Sequence, residues 1–214
     1  MKKGILIIAF FMLTNFVQAN DNQRYMQAMG TTLADMGKAT DLTSLQEVAN
    51  KFERIANTET AEWLPNYYAA LTYTLIAMRQ KDGANIDKYL DKADSFIEKL
   101  SSQTINASDE VEVLKAQVAM MRIAVDGPGR WGQYGAIFEG AVGKAKTINP
   151  QNPRAYAMKA MMIYNTPVQF GGGPDKACPE IQTALQKFAD FRPASPISPN
   201  WGLEQVEGMK KSCL

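Results

Sequence analysis

The chain has no histidine and only two cysteines among its 214 residues. Without histidine it cannot form a Ser-His-Asp triad or an imidazole ligand set, and it lacks the commonest general base. The two cysteines, Cys178 and Cys213, are far apart in sequence, so a thiolate metal site or a redox motif is not indicated. These absences exclude most familiar hydrolase mechanisms. We predict a non-catalytic protein with no metal and no cofactor.

An excess of charge of one sign is also missing. The chain has 23 basic and 22 acidic residues, and removal of Lys2 and Lys3 would leave 21 basic residues against the same 22 acidic ones. A protein so close to neutrality has no general attraction to phosphate. Nucleic acid is therefore excluded as the expected partner.

Long apolar runs are absent except at the start of the chain. Met1-Lys2-Lys3 is followed by uncharged residues 4–17 and then by Val17-Gln18-Ala19, the three regions of a secretory signal peptide. The competing interpretation is a membrane anchor, but about 14 residues is short of the roughly 20 needed to span a bilayer. We predict cleavage after Ala19 and one mature domain, residues 20–214. The mature protein should be soluble in the periplasm or outside the cell, with no membrane insertion.

Both cysteines lie in the predicted mature part. Export to an oxidising compartment favours a disulfide between Cys178 and Cys213. Such a bond would join the last short helix to the helix before it.

Small residues recur with a period of 44, at Ala28, Thr72, Ala116 and Ala160. Self-similarity at a period between 20 and 50 residues is typical of solenoids, in which each unit buries its apolar face against its neighbours. The three clearest windows share this register and read PNYYAALTYTLIAM from Pro65, DEVEVLKAQVAMMR from Asp109 and PRAYAMKAMMIYNT from Pro153.

The segments between these windows have apolar residues at helical spacing, which predicts a partner helix for each. No stretch alternates with the period of two that a strand requires, so no sheet is expected. The predicted partner helices cover 42–56, 86–100, 138–148 and 177–188, with a short closing helix over 201–211.

The junction at Asn149-Pro150-Gln151-Asn152-Pro153 ends one helix and begins the next, because proline is tolerated only in a first helical turn. Its pattern, KA-x-x-x-x-P-x-N-P-x-A-Y followed by a small residue, resembles the tetratricopeptide repeat, with Ala145, Pro150, Tyr156 and Ala160 in the signature places. The resemblance implies an all-α, tetratricopeptide-like α/α superhelix. It would be a right-handed solenoid of about four antiparallel helix pairs with a short C-terminal helix.

The resemblance also implies a groove, since the first helix of each pair lines the concave face in that family. Such a surface suits a peptide or protein partner, although some of these positions are equally compatible with ordinary core packing. The groove positions carried onto this chain are Asn66, Tyr73, Ile76, Glu110, Gln117, Met120, Arg154, Met161, Tyr164 and Asn165.

Two loops stand out beside the repeat. Phe170-Gly171-Gly172-Gly173 lengthens its junction by about five residues relative to the family, and glycine amides ahead of a helix can contact an anion or a partner. The alternative is that the glycines merely turn the chain around Phe170. Gly127 to Gly132 contains G-x-G-x-x-G, but a helix rather than a strand precedes it, which favours a tight turn ahead of Trp131 over a dinucleotide site.

Carboxylate chemistry is the remaining enzymatic option. Asp109 and Glu112 suit acid and base roles, but acidic residues also stabilise the first turn of a helix. We therefore predict a periplasmic binding or adapter protein. The alternative is a structural part of a cell-envelope assembly without a discrete ligand site, and a carboxylate-based enzyme ranks third.

Overall fold

The protein is described here by a computed structural model over residues 22–103 and 108–213, apart from the side chain of Ser108. Within these ranges the chain forms α-helices and one 3-10 turn, with no strand. The predicted signal peptide, residues 1–19, lies outside the described residues. The helices are α1 (22–38), α2 (Leu42–Thr58), α3 (Leu64–Met78), α4 (Gly83–Gln103), α5 (Ser108–Val125), α6 (Gly127–Ile148), α7 (Pro153–Asn165), α8 (Pro174–Asp190) and α9 (Leu203–Lys210), with the 3-10 turn at Val168–Phe170 between α7 and α8.

The helix ends follow the local signals in the sequence. Asp41 caps α2 by accepting a hydrogen bond from the Ser44 amide at 2.9 Å. Asn152 caps α7 by accepting from the Arg154 amide at 3.0 Å, and Pro153 is the first helical residue. Each cap satisfies an amide that the helix itself leaves unpaired.

The helices pack mainly on their neighbours in chain order, so α3 pairs with α4, α5 with α6, and α7 with α8. The first helices of successive pairs also meet, α3 with α5 and α5 with α7. Thr72, Ala116 and Ala160 are completely buried on these three helices. The all-helical class predicted from the sequence is confirmed.

The segment between α8 and α9, residues 191–202, is not helical. It returns to α3, where the Tyr68 hydroxyl donates to the Ile197 carbonyl at 2.9 Å and Trp201 Nε1 donates to the Tyr67 hydroxyl at 2.8 Å. Ile197 is 4% exposed in the core formed by α1 to α5, and Trp201 packs against both that core and the next one. The segment that follows α8 therefore covers the side of α3 that carries Tyr67 and Tyr68.

The predicted disulfide is confirmed, since Cys178 on α8 is bonded to Cys213 beyond α9. The bond fixes the chain that follows α9 against α8. Val206 and Met209 of α9 pack against residues of α7 and α8. No helix in the described part of the chain is both long and apolar enough to cross a membrane.

Candidate functional site

An apolar groove of about 760 Å³ opens where α5 ends, α6 begins and α7 runs into the 3-10 turn. Its size is within the 300–1,000 Å³ typical of small-molecule sites. None of its lining residues carries a charge. They are Met120, Ile123, Ala124, Gly127, Pro128, Trp131, Met162, Asn165, Thr166, Pro167 and Phe170.

Two aromatic side chains in this lining are largely exposed among the described residues. Trp131 is 47% exposed and Phe170 is 67% exposed. Isolated exposed apolar residues are common, but two rings on the walls of one apolar groove form a contiguous patch of the kind that binds ligands or partners. The groove can therefore bury an apolar ligand against aromatic surfaces.

The wall that carries Trp131 is fixed by the first turn of α6. Asp126 is the single residue between α5 and α6, and its side chain accepts from the Gly129 amide at 3.1 Å. The neighbouring Arg130 makes two hydrogen bonds of 2.7 Å to the Asp87 carboxylate of α4. The hydrogen bonds from Arg130 hold the pKa of Asp87 below its ordinary value, and the paired charges tie the start of α6 to α4.

Arg122 extends this charged network on the same side of α5. Its guanidinium donates to Asp91 at 2.7 Å and to Asp94 at 2.6 Å. Burial alone would lower the pKa of Arg122, but the hydrogen bonds that it donates to these two carboxylates raise it above its ordinary value. Asp87, Asp91 and Asp94 are thus structural partners of arginines that brace α5 and α6 against α4.

The wall that carries Phe170 is the glycine loop that the sequence singled out. Gly171 and Gly173 have φ angles of 85° and 109°, a region that residues with a Cβ rarely adopt. A Cβ at Gly172 would lie 2.3 Å from the Thr166 carbonyl oxygen, so this position is sterically closed. The three glycine amides donate to the carbonyls of Val168, Pro167 and Ile163. These amides therefore already donate to carbonyls of the chain itself. The anion contact predicted for them stays an untested prediction.

Two of the ten predicted groove residues, Met120 and Asn165, line this groove. Six others are buried: Asn66, Tyr73, Ile76, Glu110, Gln117 and Arg154. The last two, Met161 and Tyr164, are partly buried against the cores that surround α7. The structure does not bring the ten together as one open surface.

Arg154 and Glu110 form the centre of a buried polar cluster at the starts of α7 and α5. Arg154 is 2% exposed, and its guanidinium bonds Glu110 through Nη2 and through Nε, which is 3.0 Å from both carboxylate oxygens. Burial would lower the pKa of Arg154, but the charge of Glu110 raises it above its ordinary value. Tyr67 and Asn152 also donate to Glu110, at 3.0 and 2.8 Å. This cluster stabilises the stacking of α3, α5 and α7.

Asp109 and Glu112, the candidate catalytic carboxylates, have separate partners. Asp109 accepts from the amides of Asn149 and Asn152, both at 2.9 Å, and Glu112 accepts from Lys115 at 2.7 Å. No group of three or more acidic or cysteine side chains that could hold a metal occurs among the described residues.

A second, more open depression of about 460 Å³ lies between α1 and α2. Its lining is largely polar and includes an ion pair of 2.7 Å between Lys51 and Asp35. It lacks the aromatic walls of the groove, which makes the groove the stronger candidate site.

Sequence patterns identified the two aromatic residues separately, but not the site. The unusual length of its loop distinguishes Phe170 in the sequence, and the turn before it distinguishes Trp131. The two residues are 39 positions apart, and no pattern in the sequence indicates that they line one cavity. Met162 and Ile123 have the same helical spacing as core residues, so the sequence does not separate them from the core.

The chain is similar in fold and in sequence to a protein of known structure. No protein-family model matches the chain, and no curated protein matches it significantly. A solved structure, the HusA haemophore from Porphyromonas gingivalis, superposes with a TM-score of 0.78 at 30% sequence identity, over 88% of this chain and 92% of that one. The chain belongs to the same family as the HusA haemophore.

Proposed function

We propose that the protein is an exported, non-catalytic binding protein that holds haem, or a ligand of similar flat apolar shape, in the groove between Trp131 and Phe170. The observation that carries the proposal is the pair of exposed rings on one apolar groove of about 760 Å³. The name haemophore of its relative supports haem as the cargo.

The lining suits a flat macrocycle. Aromatic rings give large apolar contact with little loss of conformational freedom, and methionine side chains adapt to irregular shapes. Met120 and Met162 supply such contact, and thioethers also belong to the ligand class that haem iron accepts. Because no charged side chain lines the groove, the carboxylate groups of haem would project into solvent.

The repeat packing and the confirmed disulfide support the remaining parts of the proposal. We interpret the stacked helix pairs as a tetratricopeptide-like superhelix, and the disulfide favours an oxidising compartment such as the periplasm. The peptide or protein partner stays a prediction, as does a structural role in the cell envelope. Tyr73, Glu110 and Arg154, which were predicted to contact a peptide, already bond within the chain.

The test is an absorbance titration with haemin of the wild-type protein and of Trp131→Ala and Phe170→Ala. Each ring is expected to contribute about tenfold in affinity, since stacking on an aromatic side chain is worth roughly 1–3 kcal/mol and 1.4 kcal/mol is tenfold. Ile137→Ala is a matched control because Ile137 is also on α6 and 48% exposed but does not line the groove. Absence of haemin binding by the wild type, or equal affinities for all variants, would refute the proposal.

A further inference from the structure

Gly135 is the helical residue against which Trp131 lies. It is four positions after Trp131 in α6, and residues four apart share one face of a helix. A Cβ added to Gly135 would lie 2.9, 3.0 and 3.3 Å from the indole atoms Cε2, Cδ2 and Cζ2. The ring therefore contacts the helix backbone at the place where any other residue would have a side chain.

The other glycines in the body of α6 have no such role. Gly132, Gly140 and Gly143 have no atom within 4 Å of an added Cβ, and Gly132 and Gly140 are exposed. Gly135 alone of these four is buried, and it is buried beneath the ring. Glycine inside a helix is unfavourable relative to alanine, so a glycine at this position requires a local reason.

We infer that Gly135 is a positioning residue for the ligand groove: its missing side chain lets the Trp131 indole lie against α6 and so sets the width of the groove. This inference rests on the proposed function. Alanine at 135 would force the ring away from α6 by about 0.5 Å or more, since contacts between Cβ and ring atoms are ordinarily 3.4 Å or longer. The ring rather than the helix would move, because the side chain is half exposed whereas α6 is anchored to α4 through Arg130 and Asp87.

The direct test compares haemin affinity in Gly135→Ala and Gly140→Ala. Both substitutions add one methyl group to the same helix and should keep or slightly raise the melting temperature through helix propensity. Gly135→Ala should weaken haemin binding by about 3- to 10-fold, the effect of displacing a side chain from its preferred rotamer. Gly140→Ala should stay within about twofold of the wild type.

A double-mutant cycle shows whether Gly135 acts through Trp131. In a Trp131→Ala background, the additional Gly135→Ala change should alter affinity by less than about twofold, because the ring that it displaces is gone. An undiminished effect in that background would overturn the inference. If Gly135→Ala lowers thermal stability instead, the added Trp131→Ala change should restore the melting temperature. Failure of the double variant to regain stability would also overturn the inference.

The ring position can be measured without haemin. Acrylamide quenching of tryptophan emission should rise in Gly135→Ala relative to Gly140→Ala, and the difference should vanish when Trp131 is replaced. Failure of the wild type to bind haemin refutes the proposed function alone, whereas equal quenching and equal affinity in the two alanine variants refute the role of Gly135 alone.

Discussion

The buried Glu110 carboxylate gives the sharpest stability prediction, for the change Glu110→Gln. Glu110 is 7% exposed and accepts hydrogen bonds from Arg154, Tyr67 and Asn152. Glutamine keeps the shape of the side chain but removes the charge that compensates Arg154. It also replaces one acceptor oxygen by a donor, in a cluster where every partner donates.

Loss of one member of a buried ion pair costs roughly 3–5 kcal/mol, because the remaining charge stays in a poorly solvating site. For a domain of this size, each kcal/mol lowers the melting temperature by about 2–4 °C, so Glu110→Gln should melt about 6–20 °C below the wild type. Urea unfolding at pH 7 measures the corresponding loss in the free energy of unfolding.

The control is Glu139→Gln, which breaks an ion pair of 2.7 Å with Lys159 at a position where the glutamate side chain is 46% exposed. This exposed pair should contribute less than about 1 kcal/mol. The double variant Glu110→Leu with Arg154→Met should recover most of the lost stability, since it removes both charges. A cost below about 1 kcal/mol for Glu110→Gln would refute the assignment of this pair as a stabilising centre of the repeat stack.

Replacing Cys178 and Cys213 by serine should lower the free energy of unfolding by about 3–4 kcal/mol in the chain-entropy model, and haemin affinity should change little because neither residue lines the groove. Asp87→Asn should lower stability at neutral pH, and the difference from the wild type should shrink as pH falls below 3.8. The Arg130 hydrogen bonds depress the pKa of Asp87, so its stabilisation is present above the unfolded value of 3.8 and is lost as pH falls through the lower folded pKa. Urea titrations across pH measure this, and a constant difference at all pH values would contradict it. Gly171→Ala should cost about 1–2 kcal/mol because of its positive φ, and should weaken haemin binding by displacing Phe170; unchanged melting and affinity would show that the loop is not constrained.

The all-helical class and the positions of the helices could be predicted because each of their signals is local. Apolar residues at helical spacing determine which face a helix buries, and prolines and caps such as Asp41 and Pro153 determine where helices begin. Thr72 and Ala116, two of the small residues at the period of 44, are completely buried on α3 and α5. The disulfide could be predicted because an exported protein meets an oxidising compartment and because the chain has only two cysteines.

The position of the C-terminal segment was not predictable from those signals. Its contact with α3 joins Ile197 to Tyr68 across 129 positions, and Trp201 to Tyr67 across 134. Residues 192–202 have neither helical periodicity nor a repeat register, so no pattern in the sequence indicates their partner. The family-derived groove positions gave no sign of this contact either, since Tyr67 and Tyr68 are not among them.

The groove lies between two connections of unusual length. At Asp126 the connection between α5 and α6 is reduced to one residue, whereas residues 166–173 separate α7 from α8. The short connection places Trp131 on the first turns of α6, and the long one carries Phe170. Both side chains line the groove together with Met120 of α5 and Met162 of α7. The packed helices therefore form the scaffold, and these two connections determine where the groove opens.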